Sequence, residues 1–201
     1  MALVATAKDF VMPRADKATA YPAHDEHPAE HVAVAVDPYD TPEKAAIFKV
    51  NWRQNDYLPV FFVVTNDGNQ PIALTGMKVE LVTANRSKIQ PATDDDLERR
   101  LSHLKHRPDD TGPLPLPIPK RKPTAGPSKQ AQAEIDEAPF RALAVEPHGT
   151  HAGFLFFDIE NISEPLAGAH LYVTGIKDNS GQELMFFEIP LDKYVPAPAQ
   201  K

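Results

Sequence analysis

The amino-acid sequence predicts an all-β protein: an antiparallel β-sandwich with a proline-rich insertion that carries one or two short helices. Two observations predict this class. Apolar runs of strand length are bounded by turn residues, and none of them alternates with a long helix. Proline, which cannot donate to a strand ladder, makes up 21 of the 201 residues, yet seven of these prolines lie between residues 108 and 127. Proline therefore outlines the predicted strands instead of interrupting them.

Strand patterns lie on both sides of the insertion. Residues 58–65 are apolar on both faces, as in a central strand, and an Asn-Asp-Gly-Asn turn follows them. Residues 77–81 alternate apolar and charged side chains, which is typical of a strand with one solvated face. Further strands are predicted over 141–145, 153–159, 170–176 and 183–189. Residues 45–92 and 140–194 together number 103, close to the ~100 of a seven-stranded immunoglobulin-like sandwich.

The predicted insertion covers residues 93–139 of a domain that spans 45–194. Leu97, Leu101 and Leu104 have helical spacing after a capping Thr93 or Asp94, and a second helix is predicted over Lys129–Glu137. The prolines between these helices favour an extended connector. Residues 1–44 are predicted to form a largely irregular N-terminal arm, and 195–201 a tail.

Three blocks resemble uncharacterised bacterial immunoglobulin-like domains from extracytoplasmic proteins. The first is the Leu-Pro-Val strand start and Asn-Asp-Gly turn within 58–68, and the second is the Glu-Pro-His-Gly-Thr turn at 146–150 with its Gly-aromatic strand at 153–157. The third is the closing pair at 171–175 and 181–190. The resemblance implies an immunoglobulin-like fold and an exported location, periplasmic or secreted, if a leader was removed; otherwise the location is cytoplasmic. It implies no catalytic residues.

Composition excludes several classes of function. The chain has no cysteine, which excludes disulfides, a cysteine nucleophile and an iron–sulfur cluster. A formal charge of −7 argues against a nucleic-acid partner. No stretch reaches the ~20 apolar residues of a transmembrane segment. No cofactor is predicted.

The histidines His24, His27 and His31 form the strongest chemical motif. His27, Glu30 and His31 have the H-x-x-E-H form of inverted zinc peptidases. That chemistry needs the two imidazoles one helical turn apart, whereas the following Val-Ala-Val-Ala-Val alternates like a strand. The three histidines remain candidate metal ligands, and the adventitious binding of a transition metal and a solvated polar segment remain the alternatives.

Candidate partner-binding residues come from the aromatic strands and from the insertion. One member of each Phe-Phe pair must point away from the sandwich core, either into solvent or under the insertion, and we favour the second. Prolines spaced by two give no P-x-x-P motif, so recognition by an SH3 domain is not expected. The candidates are Phe154, Phe156, Phe157, Phe186, Phe187, Leu114, Leu116 and Ile118.

The sequence thus predicts a non-enzymatic, extracytoplasmic binding or structural-interaction module. Its partner would be a protein or a cell-envelope component that contacts sheet-face aromatics or a sheet edge. The alternative is a metal-binding protein or metal-dependent hydrolase that uses the N-terminal histidines.

Overall fold

The computed structural model describes residues 10–103 and 126–194. Its α-helices are α1 (Pro42–Ala45), α2 (Asp94–His103) and α3 (Lys129–Glu137). The strands are β1 (Ala23–His27), β2 (Val32–Pro38), β3 (Tyr57–Asn66), β4 (Ile72–Ala73), β5 (Lys78–Val82), β6 (Lys88–Ile89), β7 (Ala144–Val145), β8 (Gly149–Asp158), β9 (His170–Thr174) and β10 (Phe187–Pro190). Short 3-10 turns lie at Ala18–Ala20, Arg53–Asn55 and Asp192–Tyr194.

The strands form two four-stranded antiparallel sheets and one short pair. Sheet I has the order β1-β2-β3-β8, and sheet II has the order β10-β9-β5-β6. Strands β4 and β7 pair separately. The prediction of a β-rich, antiparallel protein is confirmed.

The central strands β2 and β3 of sheet I are buried on both faces, because their side chains alternate between two cores. Val34, Val60 and Phe62 face the inner core, where they pack against Leu81 and Val173 of sheet II. Their neighbours on the same strands face an outer core. All ten residues of β3 are buried, as its doubly apolar sequence predicts.

A layer of helices and loops covers the outer face of sheet I. Leu97 of α2 and Ile135 of α3 lie in the outer core with Phe48 and Trp52. Aromatic rings fill it: the ring centroids of Phe48 and Phe154 are 4.9 Å apart, and those of Trp52 and Phe156 are 4.6 Å apart. The expectation that the insertion rests on sheet aromatics is confirmed for these two helices.

The predicted N-terminal arm is wrong where the structure describes it. Residues 23–38 form the hairpin β1–β2, and β2 pairs with β3 along its whole length. Three valines of β2 face the inner core and two alanines face the outer one. The prediction missed that β2 has apolar residues on both faces and therefore needs a layer on each side.

A cap orders the start of α2, and an ion pair attaches this helix to sheet I. Thr93 and Asp96 cap α2 reciprocally: the Thr93 N–H donates to Asp96 Oδ2 at 3.1 Å, and the Asp96 N–H to Thr93 Oγ1 at 3.3 Å. Arg100 of α2 donates to Asp158 of sheet I at 2.6 Å. Both helices predicted in the insertion are present; Leu104 and the run 108–125 lie outside the described residues. No helix in the described ranges has the length and apolar character needed to cross a bilayer.

Candidate functional site

Sheet II has one buried and one open face. Along β9, Leu171 and Val173 are buried in the inner core, whereas His170 and Tyr172 are partly exposed on the other side. Within the described ranges, the outer core that the helical layer forms with sheet I contains no residue of sheet II. We call it the open face.

Acidic and aromatic side chains meet on the open face. Register places Glu188 of β10 and Glu80 of β5 on either side of Tyr172. The Tyr172 hydroxyl donates to Glu188 Oε1 at 2.6 Å, and this hydrogen bond to a carboxylate is the main cause that raises the pKa of Tyr172. His170 Nδ1 lies 3.2 Å from the same oxygen without hydrogen-bond geometry.

The segment before β10 adds two exposed apolar side chains. Met185 is 68% exposed and Phe186 is 50% exposed. The ring centroids of Phe186 and Tyr172 are 6.2 Å apart. We call these two rings the aromatic row of the open face.

The hairpin β1–β2 forms one wall of a groove, and β10 with the segment before it forms the other. Asp25 Oδ2 accepts the Glu188 N–H at 2.9 Å. The His27 ring stacks on Phe187 with a centroid distance of 4.0 Å, and its Nδ1 lies 2.8 Å from Glu30 Oε2. Between the two walls lies an open groove of about 390 Å³, which we call the acidic groove. Among its lining residues are Asp25, His27, His170, Met185, Phe186 and Glu188.

The predicted metal site is not assembled. His24 and His27 are three apart on strand β1, so their side chains leave opposite faces; His24 Nδ1 contacts the Tyr21 carbonyl at 2.6 Å. His31 follows in the turn with a φ of 57°. In the described ranges, no three His, Asp or Glu side chains are grouped to hold a metal ion. The H-x-x-E-H spacing brings ligands together only on a helix.

Most of the predicted partner-binding aromatics are not available. Phe154 and Phe156 lie under the helical layer, and Phe157 and Phe187 lie in the inner core. The structure leaves none of these four side chains exposed to a partner, because β8 is covered on both faces at the first three and Phe187 of β10 faces the inner core. Phe186 alone is exposed. Leu114, Leu116 and Ile118 lie outside the described residues.

Strands β10 and β6 and the C-terminal half of β8 are poorly suited to strand addition. On β10, the Glu188 N–H donates to Asp25 and Pro190 has no N–H; just before the strand, the Met185 N–H donates to Glu30. The C-terminal half of β8 is covered, since the Phe154 N–H donates to Ala138 O. Strand β6 has only two residues. A partner therefore has the open face rather than these edges.

A larger cleft of about 510 Å³ lies between α1 and the outer core. It contains Asp40, whose Oδ1 is 3.2 Å from Arg53 Nε; burial raises the pKa of Asp40. Burial also raises the pKa of Tyr39 to about 12. Asp40 and Arg53 neutralise each other, and the adjoining Trp52 Nε1–H donates to Glu134 of α3. The polar groups of this cleft therefore hold the helical layer in place.

Sequence reasoning found His27 and Phe186 but missed Asp25, His170, Tyr172, Met185 and Glu188. The available signal was the alternation of His170 and Tyr172 with apolar residues along β9. What brings Asp25 to Glu188 is the packing of β1 against β10, and the two residues are 163 positions apart.

Comparisons with protein-family models, with curated proteins and with solved structures give no significant match to this chain.

Proposed function

We propose that this protein is a non-enzymatic binding module that holds a macromolecular partner on the open face of sheet II, at the acidic groove. The observation that carries the proposal is the contrast between the two sheets. The helical layer buries the outer aromatics of sheet I, whereas Met185 and Phe186 stay exposed beside the groove. Exposed apolar side chains rimmed by polar ones are typical of interaction surfaces.

The chemistry of the groove supports binding over catalysis. The groove lining includes no serine, cysteine or lysine side chain. The Tyr172 hydroxyl and the Asp25 carboxylate already hold strands in place, through Glu188 Oε1 and the Glu188 N–H. A shallow, open groove suits a protein surface better than an enclosed small substrate.

The proposal includes an immunoglobulin-like relationship and an extracytoplasmic location. Two antiparallel four-stranded sheets around one core support the first, and the resemblance of the three sequence blocks supports both. Fractionation of source cells with an antibody to the chain tests the location: recovery in the cytoplasmic fraction alone would contradict it.

The open face is tested by cross-linking with matched variants. We expect the Met185→Ser, Phe186→Ser double variant to lose a partner that the wild-type chain captures from a cell-envelope extract. Leu143→Ser is the control, because Leu143 is also 68% exposed but lies beside β7. Equal capture by the double variant, quantified by mass spectrometry, would refute the proposed face.

A further inference from the structure

We infer that the partner presents a cationic segment to the acidic groove, with lysine or arginine next to an apolar side chain. The inference rests on the proposed function, because it names the partner of that same face.

Charge is the first argument. The groove lining includes the carboxylates of Asp25 and Glu188 and no lysine or arginine. Glu30 adds a third carboxylate on the hairpin wall, 3.4 Å from the Met185 N–H. The groove lining therefore presents carboxylates with no lysine or arginine to balance them, and a positive partner is electrostatically complementary to it.

The carboxylates retain capacity to accept hydrogen bonds. Asp25 uses Oδ2 for the Glu188 N–H, and Glu188 uses Oε1 for the Tyr172 hydroxyl. Asp25 Oδ1 and Glu188 Oε2 have no hydrogen-bond partner within the described ranges. Guanidinium and ammonium groups supply donors without acceptors, as two such oxygens require.

The aromatic row favours the same partner. The rings of Tyr172 and Phe186 lie beside these carboxylates, and a cation over an aromatic ring gains further attraction. The exposed Met185 offers a flexible apolar contact to a neighbouring side chain. A partner segment with a positive group next to an apolar one would contact both the carboxylates and the exposed apolar side chains.

A second copy of this chain fits less well. The chain carries a formal charge of −7, and two acidic grooves placed together would repel each other. Backbone pairing is disfavoured because the N–H groups of Glu188 in β10 and of Met185 before it are occupied, so recognition depends on side chains.

Fluorescence anisotropy with labelled short peptides tests the inference on the whole chain. One peptide carries two Arg-Leu pairs between Gly-Ser flanks, and matched peptides replace arginine by glutamine or by glutamate. We expect the Arg-Leu peptide to bind at least about tenfold more tightly than the glutamine peptide, and the glutamate peptide not to bind. The affinity of the Arg-Leu peptide should fall in about 1 M NaCl, where charges are screened within about 3 Å.

Isosteric variants locate the binding. Asp25→Asn combined with Glu188→Gln keeps one acceptor oxygen on each side chain for the Glu188 N–H and the Tyr172 hydroxyl. This double variant should weaken binding of the Arg-Leu peptide by about tenfold or more. Glu137→Gln combined with Glu146→Gln changes net charge equally at exposed positions away from the groove and should leave affinity unchanged.

Two results separate the inference from the proposed function. If the Met185→Ser, Phe186→Ser variant loses the captured partner while the Arg-Leu peptide binds no better than the glutamine peptide, the face is correct and the cationic partner is wrong. A dimer in analytical ultracentrifugation that this variant abolishes would assign the face to a second copy and overturn the inference.

Discussion

Glu134 shows how one buried carboxylate fixes the helical layer to the rest of the protein. It lies on α3 and is fully buried. Its oxygens accept the backbone N–H groups of Lys49 and Val50, and the Trp52 indole N–H at 3.1 Å. A buried charge is tolerated because several donors surround it.

Removal of this acceptor should be costly. We expect Glu134→Ala to lower the free energy of unfolding by about 2–4 kcal/mol, since three donors would lose their partner in a buried site. Urea unfolding at pH 7 measures the change. Glu137→Ala on the exposed side of the same helix is the control, and an equally small effect of both variants would show that Glu134 has no such role.

Glu134 also predicts a pH dependence with a definite sign. Burial raises the pKa of this carboxyl above its ordinary 4.5, so the folded protein binds this proton more tightly than the unfolded chain. The stability that the group contributes is then lost as the pH rises from 4.5 through the folded-state pKa. The unfolding free energy of wild type minus that of Glu134→Gln should fall over this range, and a rising difference would contradict the sign.

Individual residues of the candidate site were only partly predictable. The sequence singled out His27 and Phe186 as chemically notable, but it assigned His27 to a metal site. A side chain's type is visible in the sequence, whereas its neighbour across a sheet depends on register and packing. The stacking of His27 on Phe187 joins residues from opposite ends of the described chain.

The hairpin β1–β2 is the element whose role changes most between sequence and structure. As part of an irregular arm it would be dispensable, yet β2 is an interior strand of sheet I, with β1 and β3 on its two sides. Through Asp25 the hairpin also occupies the Glu188 N–H of β10, and through Glu30 the Met185 N–H just before that strand. It therefore completes one sheet and protects the edge of the other.

A conservative truncation in β2 separates the two interpretations. Val34 is fully buried in the inner core, so Val34→Ala should lower the unfolding free energy by about 2 kcal/mol through lost burial and a residual cavity. The control is Glu26→Ala, an exposed position in the same hairpin, which should change stability by less than about 0.5 kcal/mol. If thermal or urea unfolding shows the same small change in free energy for Val34→Ala and Glu26→Ala, the interpretation of this segment as an irregular arm would be supported instead.

At the scale of the whole molecule, sheet I is the middle of three layers. Sheet II, sheet I and the helical layer are stacked in that order, and sheet I contributes to both cores. Loss of sheet I would expose both cores together, which favours cooperative unfolding.

The single tryptophan makes this cooperativity measurable. Trp52 is buried in the outer core, so its fluorescence reports on the helical layer, whereas far-ultraviolet circular dichroism is dominated by the sheets. The two probes should give the same urea midpoint, and Val34→Ala in the inner core should shift both equally. An earlier fluorescence transition would show that the helical layer unfolds separately.

The sequence by itself determined the elements whose signal is local. The doubly apolar β3, the alternating β5 and the helices α2 and α3 follow from periodicity, capping and turn residues within a few positions. The burial of Phe156 under the insertion was also predicted, whereas the same expectation was wrong for Phe186, which is exposed.

Only the tertiary structure decided which layer covers which face. It placed β2 beside β3, buried the aromatics of β8 and left Phe186 with Met185 exposed beside Asp25 and Glu188. These outcomes depend on pairings between residues far apart in sequence. Such pairings are set by the joint burial of several apolar faces, and no local pattern of residues encodes them.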